Sequence, residues 1–147
     1  MSRLEELVAE LGYENACDIL SEKIRSLTGN VLTIVSNKGM HHFPDTLKRG
    51  EVYYASTGSF DFSNEGLIIN QYKKSMKLLT EKLTSRQWRT IYLVPFGHST
   101  FSMQLKLLVY RVTHIETIDV LYDGKGNYFD VLLDQRELVT GRSVETE

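Results

Sequence analysis

Thr90–Asp123 reads TIYLVPFGHSTFSMQLKLLVYRVTHIETIDVLYD, and its parsing decides the fold. Arg89–Val94 is an apolar, β-branched run, and Pro95, which has no N–H for a ladder, stops it. Gly97-His98-Ser99-Thr100 then forms a tight polar loop. From Thr100 to Thr113 the apolar residues Met103, Leu105, Leu107, Leu108, Val109 and Val112 leave only Gln104, Lys106, Tyr110 and Arg111 for a polar strip. A helix of that composition is expected to be largely buried. Glu116–Tyr122 follows as another strand. Strands joined through a helix pair in parallel with a right-handed crossover, so the stretch is one βαβ unit.

Working outward, Asp123-Gly-Lys-Gly-Asn127 is a glycine turn, and the Tyr128–Leu133 run after it can only return as an antiparallel hairpin. Upstream, Val31–Val35 and Glu51–Ala55 are short strand candidates, ending in Ser36-Asn37-Lys38-Gly39 and Ser56-Thr57-Gly58-Ser59. Phe60–Gly66 reads as loop. Between Leu67 and Leu83, Ile68, Ile69, Tyr72, Met76, Leu79 and Leu83 keep a helical period and lysines take the other face; Leu67–Asn70 also fits a strand end. Residues 2–11 and 14–27 predict a helix pair broken near Gly12. In the second helix Ala16, Leu20, Ile24 and Leu27 make an apolar stripe that Cys17 and Ile19 widen, so Cys17 is expected to be buried. Trp88 is read as an aromatic at the edge of the core.

The expected architecture is α/β and Rossmann-like. It is a single domain over residues 1–138, with helices in 1–27 and a polar, frayed tail at 139–147. A mixed, mainly parallel sheet of about five strands is flanked by helices and closed by a C-terminal hairpin. With 147 residues, 41% hydrophobic and 24% charged, the composition is that of a folded globular chain. No apolar run approaches the roughly 20 residues of a membrane helix. The N-terminal residues show no secretory h-region, and the lone Cys17 allows neither an internal disulfide nor a cysteine metal cluster. These features point to the cytoplasm and away from a membrane. A net charge of −2 gives no case for duplex nucleic acid. The charge is uneven: Glu5, Glu6, Glu10, Glu14, Asp18 and Glu22 lie near the start, and Lys73, Lys74, Lys77, Lys82, Arg86 and Arg89 follow one another later. Such runs are commonly the solvated faces of amphipathic helices.

The chemistry is read from a recurrence. Three strand candidates run into small, polar, glycine-containing loops, and open α/β sheets bind ligands outside the carboxyl ends of their strands. Glycines admit a close approach of backbone N–H groups to an anion, hydroxyls add donors, and a helix N-terminus favours phosphate. The candidate ligand residues are Ser36, Lys38, Gly39, Ser56, Thr57, Gly58, Ser59, Gly97, His98, Ser99 and Thr100. None of the loops is a dinucleotide fingerprint or a P-loop, and no cofactor or metal is expected. Ser99 or Thr100 also fits as a simple N-cap of the helix, which is compatible with ligand binding. His98 is the candidate acid–base residue, provided that a carboxylate or hydroxyl orients it. His114 is read as structural. Adjacent His41 and His42 point to opposite sides of an extended chain and make a poor chelating pair. Asp119, Asp123, Asp130 and Asp134 fit either a carboxylate cluster or a solvated turn.

Residues 90–122, with PFGHSTF between a strand and an apolar helix and ETIDVLYD after it, resemble one Rossmann-like half of the CARF and SAVED domains. The resemblance implies a sensor of nucleotide second messengers, with Gly97, His98, Ser99 and Thr100 as the matching ligand loop. It also implies that a second half or a homodimer completes the pocket. The leading reading is therefore a binding module for a nucleotide or other phosphorylated small molecule. Lys38 and the Lys73, Lys74 and Lys77 surface are its auxiliary cations. The alternatives are a small hydrolase or transferase using His98, and a protein-interaction subunit with no small-molecule ligand.

Overall fold

The computed structural model describes residues 2–39 and 42–141, with the backbone but not the side chains of 24–28. The chain runs α1 (Arg3–Leu11), α2 (Tyr13–Thr28), β1 (Val31–Val35), a 3-10 turn (Asp45–Leu47), β2 (Glu51–Tyr54) and α3 (Glu65–Thr84). It continues with β3 (Thr90–Val94), α4 (Ser99–Thr113), β4 (Ile118–Tyr122), β5 (Tyr128–Val131) and α5 (Gln135–Val139). One five-stranded sheet has the order β2-β1-β3-β4-β5. β1 pairs in parallel with β2 and β3, β3 pairs in parallel with β4, and only β5 is antiparallel. This is the order of one common doubly wound arrangement.

Period-two alternation assigns the faces. Leu32 and Ile34 of β1 and Ile91 and Leu93 of β3 point to the layer of α3 and α4 and meet Leu79, Leu83, Phe101, Leu105 and Val109. Each of these side chains contributes about 1.5–3 kcal/mol by leaving water. Val35, Val94 and Val120 face the other way and gather with Leu47 and half-buried Phe43 and Tyr54. Among the described residues, no α-helical side chain joins this second cluster. The β1–β2 connection lies across it and is fastened through Arg49. The Arg49 carbonyl accepts from Thr33 Oγ1 at 2.6 Å, and its guanidinium lies 3.7 Å from the centre of the Tyr92 ring. Its two terminal nitrogens donate to both Asp130 oxygens at 2.6 and 2.7 Å, tying the connection to the far strand β5.

This clamp has a pH signature. Arg49 beside Asp130 holds that carboxyl below the usual carboxylate range, as Lys82 does for Glu51 on edge strand β2. A depressed folded pKa gives stability that is complete above the unfolded value, roughly 4, and is lost as pH falls through the folded value. Asp130→Asn is therefore expected to lower stability at pH 7 by up to about 1 kcal/mol, since the pair is partly exposed. It should also flatten the acid limb of stability against pH, as read by urea unfolding at each pH. An unchanged acid limb would remove Asp130 from the account.

Several expectations are settled, some of them by correction. Leu67–Asn70 is helix, within α3, whose Asn64 side chain accepts from Leu67 N at 2.9 Å as N-cap. Cys17 is exposed, as are its neighbours Ile19 and Leu20, so this part of the α2 stripe lies outside the core, while the side chains of Ile24 and Leu27 lie outside the described residues. α4 is buried on one side only; Met103 and Leu107 are 61% and 55% exposed. The polar end of the chain contains α5, N-capped by Asp134, whose side chain accepts from Arg136 N. Residues 142–147 of the expected tail lie outside the described residues, as does His41 of the His41–His42 pair. Trp88 is buried at the core edge, under the Arg86 guanidinium at 4.6 Å.

Candidate functional site

Parallel pairing places Val35, Tyr54 and Val94 side by side at the carboxyl ends of β1, β2 and β3, so the three glycine loops leave the sheet together. The first two loops prolong the pairing: Lys38 N donates to Ser56 O at 2.8 Å, and Lys38 bridges Thr57 in parallel. Asn37 is the knot of the cluster. Its Nδ2 donates to Ser56 Oγ at 3.0 Å and to the Gly58 carbonyl at 2.7 Å. Gly97 of the third loop, at φ +83°, passes so close that a Cβ there would lie 3.0 Å from Asn37 Cβ.

The loops enclose a cleft of about 500 Å³, bounded by Asn37–Gly39, Gly58–Ser59 and Phe96–His98. Of the candidate residues it brings together Lys38, Gly39, Gly58, Ser59, Gly97 and His98. Ser36 is fully buried on the helix side, where its Oγ accepts from Ser102 Oγ at 2.9 Å. Ser56 donates to the Ser36 carbonyl at 2.6 Å, so both hydroxyls serve the framework. Thr57, Ser99 and Thr100 are exposed nearby but do not line the cleft, and neither do Lys73, Lys74 and Lys77 on α3.

Three features give the cleft its chemistry. Lys38 Nζ sits 5.1 Å from the centre of the Tyr54 ring and has no carboxylate partner among the described residues. His98, rather than Ser99 or Thr100, occupies the N-cap of α4, and its side chain makes no capping bond. Among the described residues the first-turn N–H groups of α4 thus have no side-chain acceptor, next to a cleft that the N-cap residue lines. Finally, the His98 ring rests against Phe62, with centroids 4.4 Å apart, while Phe96 lines the wall. The loop carrying Phe62 is held in place: Gln71 bonds both the N–H and the carbonyl of Asp61, at 2.9 and 2.8 Å. Phe60 of the same loop packs on Phe101 and Tyr72.

Asn37, Phe62 and Phe96 were not among the expected ligand residues. Asn37 sits inside the first glycine loop and Phe96 directly before the third, whereas Phe62 reaches the site from a loop with no strand-end signature. An acid–base role for His98 needs an orienting partner, and the described residues offer its ring nitrogens no hydrogen bond. The four aspartates do not cluster. Asp119 takes a 2.7 Å bond from Lys106, Asp130 holds Arg49, Asp123 closes the glycine turn through Lys125 N and Asn127, and Asp134 binds Arg136. No group of potential metal ligands occurs among the described residues, nor is any described helix long and apolar enough to cross a membrane. No family model, no curated protein and no solved structure matches the chain.

Proposed function

We propose that the protein is a binding module for a nucleotide or another phosphorylated small molecule, held at the carboxyl edge of β1, β2 and β3. One observation carries this reading: Lys38, glycines of all three loops and His98, the N-cap residue of α4, line a single cleft. A phosphate at its mouth would meet backbone N–H groups and one cation, while Phe96 and the Phe62–His98 pair supply apolar, aromatic surface for a base. Sensing of a nucleotide messenger, as the CARF and SAVED resemblance implies, is one role such a module serves. The reading places the protein in a reducing cytoplasm, where an exposed Cys17 thiol persists.

Calorimetric titration with nucleoside phosphates, cyclic nucleotides and inorganic phosphate tests it. Nucleotides are expected to bind more tightly than inorganic phosphate, and Lys38→Ala to weaken them about tenfold, in line with roughly 1.5 kcal/mol for a charge-assisted bond. Added salt should weaken wild type more than the variant. Absence of binding by every phosphate compound, or binding indifferent to Lys38→Ala, would overturn the reading.

A further inference from the structure

Gly39, Gly58 and Gly97 line the cleft at the ends of β1, β2 and β3, and all three lie against one side chain, that of Asn37. The Gly58 carbonyl accepts from Asn37 Nδ2 at 2.7 Å. A Cβ at Gly97 would lie 3.0 Å from Asn37 Cβ and 3.9 Å from its Nδ2, and a Cβ at Gly39 would lie 3.4 Å from its Oδ1. The loops are moulded around this amide, and their bonds fix which of its two ends is which.

Nδ2 carries two protons and both are used. One goes to the Gly58 carbonyl, which can only accept. The other goes to Ser56 Oγ at 3.0 Å, which accepts because its own proton is donated to the Ser36 carbonyl at 2.6 Å. A reversed amide would set two acceptor oxygens 2.7 Å apart at Gly58, so the hydrogen-bond network assigns the orientation. Oδ1 is left beside Gly39 with no donor among the described residues. It is an acceptor held in the wall of the cleft.

Asn37 precedes Lys38 in the chain and packs on Gly97, which stands between Phe96 and His98. Its acceptor thus belongs between the cation and the aromatic wall. In a nucleotide the part between phosphate and base is the sugar, whose hydroxyls are donors. We infer that Asn37 Oδ1 accepts a hydrogen bond from a ribose hydroxyl, so that the cleft selects ribonucleotides over deoxyribonucleotides. This rests on the phosphate reading and extends it to the sugar. A ligand without the hydroxyl would desolvate Oδ1 and return no bond, and the amide cannot turn to another partner without breaking both of its bonds to the second loop.

Calorimetric titration of the full chain with the adenosine, guanosine, cytidine and uridine 5′-monophosphates, each against its 2′-deoxy and 3′-deoxy forms, tests this. Wild type is expected to bind a ribonucleotide about tenfold more tightly than one of its deoxy forms, as a lost hydrogen bond predicts. Asn37→Ala also frees the loops, so its affinities should all fall, but ribo and deoxy forms should bind alike. The ratio, not the affinity, reports the bond. Gly39→Ala is the second variant, and it keeps Asn37 with both loop bonds. Gly39 has no positive φ, and the added methyl group meets Oδ1 at ordinary contact distance and covers one side of it, so the preference should shrink with the fold intact. Equal binding of ribo and deoxy forms by wild type would overturn the inference and leave the phosphate reading standing. So would a preference that persists undiminished in either variant. Binding of none of these nucleotides would overturn both.

Discussion

Gly50→Ala is expected to destabilise the protein by at least about 3 kcal/mol and to lower Tm by on the order of 10 °C. Gly50 has φ +65°, and a Cβ built there would lie 2.2 Å from the Val31 carbonyl oxygen. That atom is backbone at the start of β1, so no side-chain rotation relieves the overlap. Either β2 moves away from β1 or the Arg49 clamp lifts from the sheet. Gly124→Ala is the matched control. Gly124 also has positive φ, +80°, but an added Cβ there meets nothing within 4 Å. Its cost should be the backbone term alone, roughly 1–2 kcal/mol. Urea unfolding of both variants isolates the steric term as their difference, and equal losses would show that the close approach at Val31 is not tight.

Phe101→Ala is expected to cost about 3–5 kcal/mol, the range for removing a fully buried aromatic side chain. Phe101 is 1% exposed, and its ring centre lies 4.9 Å from those of both Phe60 and Tyr72. It is also the link between core and cleft, because Phe60 anchors the loop that carries Ser59 and Phe62. Phe101→Leu keeps much of the volume and should cost about 1–2 kcal/mol. Both variants should weaken nucleotide binding, since each loosens one wall of the cleft. A destabilised Phe101→Leu that binds with wild-type affinity would separate the core from the site.

The sheet was legible because its signals are local. VLTIV and TIYLV alternate between two buried faces, Pro95 marks a strand end, and a turn as short as Asp123–Asn127 forces a hairpin. Periodicity says which residues share a face, not whether anything lies against that face. Cys17, Met103 and Leu107 were expected inside for that reason, and among the described residues nothing buries them. At the site, the loops that gather were readable from their strand ends, but the orientation within them was not applied. Carrying the alternation of β1 one step further puts Ser36 with Leu32 and Ile34 on the helix side and turns Asn37 outward, as observed. The cap of α4 fell one residue earlier than Ser99, within the ordinary uncertainty of a helix boundary, and that shift leaves its first turn without a side-chain acceptor. Phe62 carried no local signal, since Gln71 and Phe60 place it through tertiary contacts.

The most direct test of the phosphate cleft is a ¹H–¹⁵N correlation titration of the full chain with a nucleoside phosphate. The amides of Lys38, Gly39, Gly58, Gly97, His98 and Ser99 are expected to shift together along one saturating curve, with those of Leu107, Tyr110 and Val139, on α4 and α5, unmoved. Shifts confined to Leu107, Tyr110 and Val139, or no saturable shift at all, would contradict a phosphate site at the ends of β1, β2 and β3.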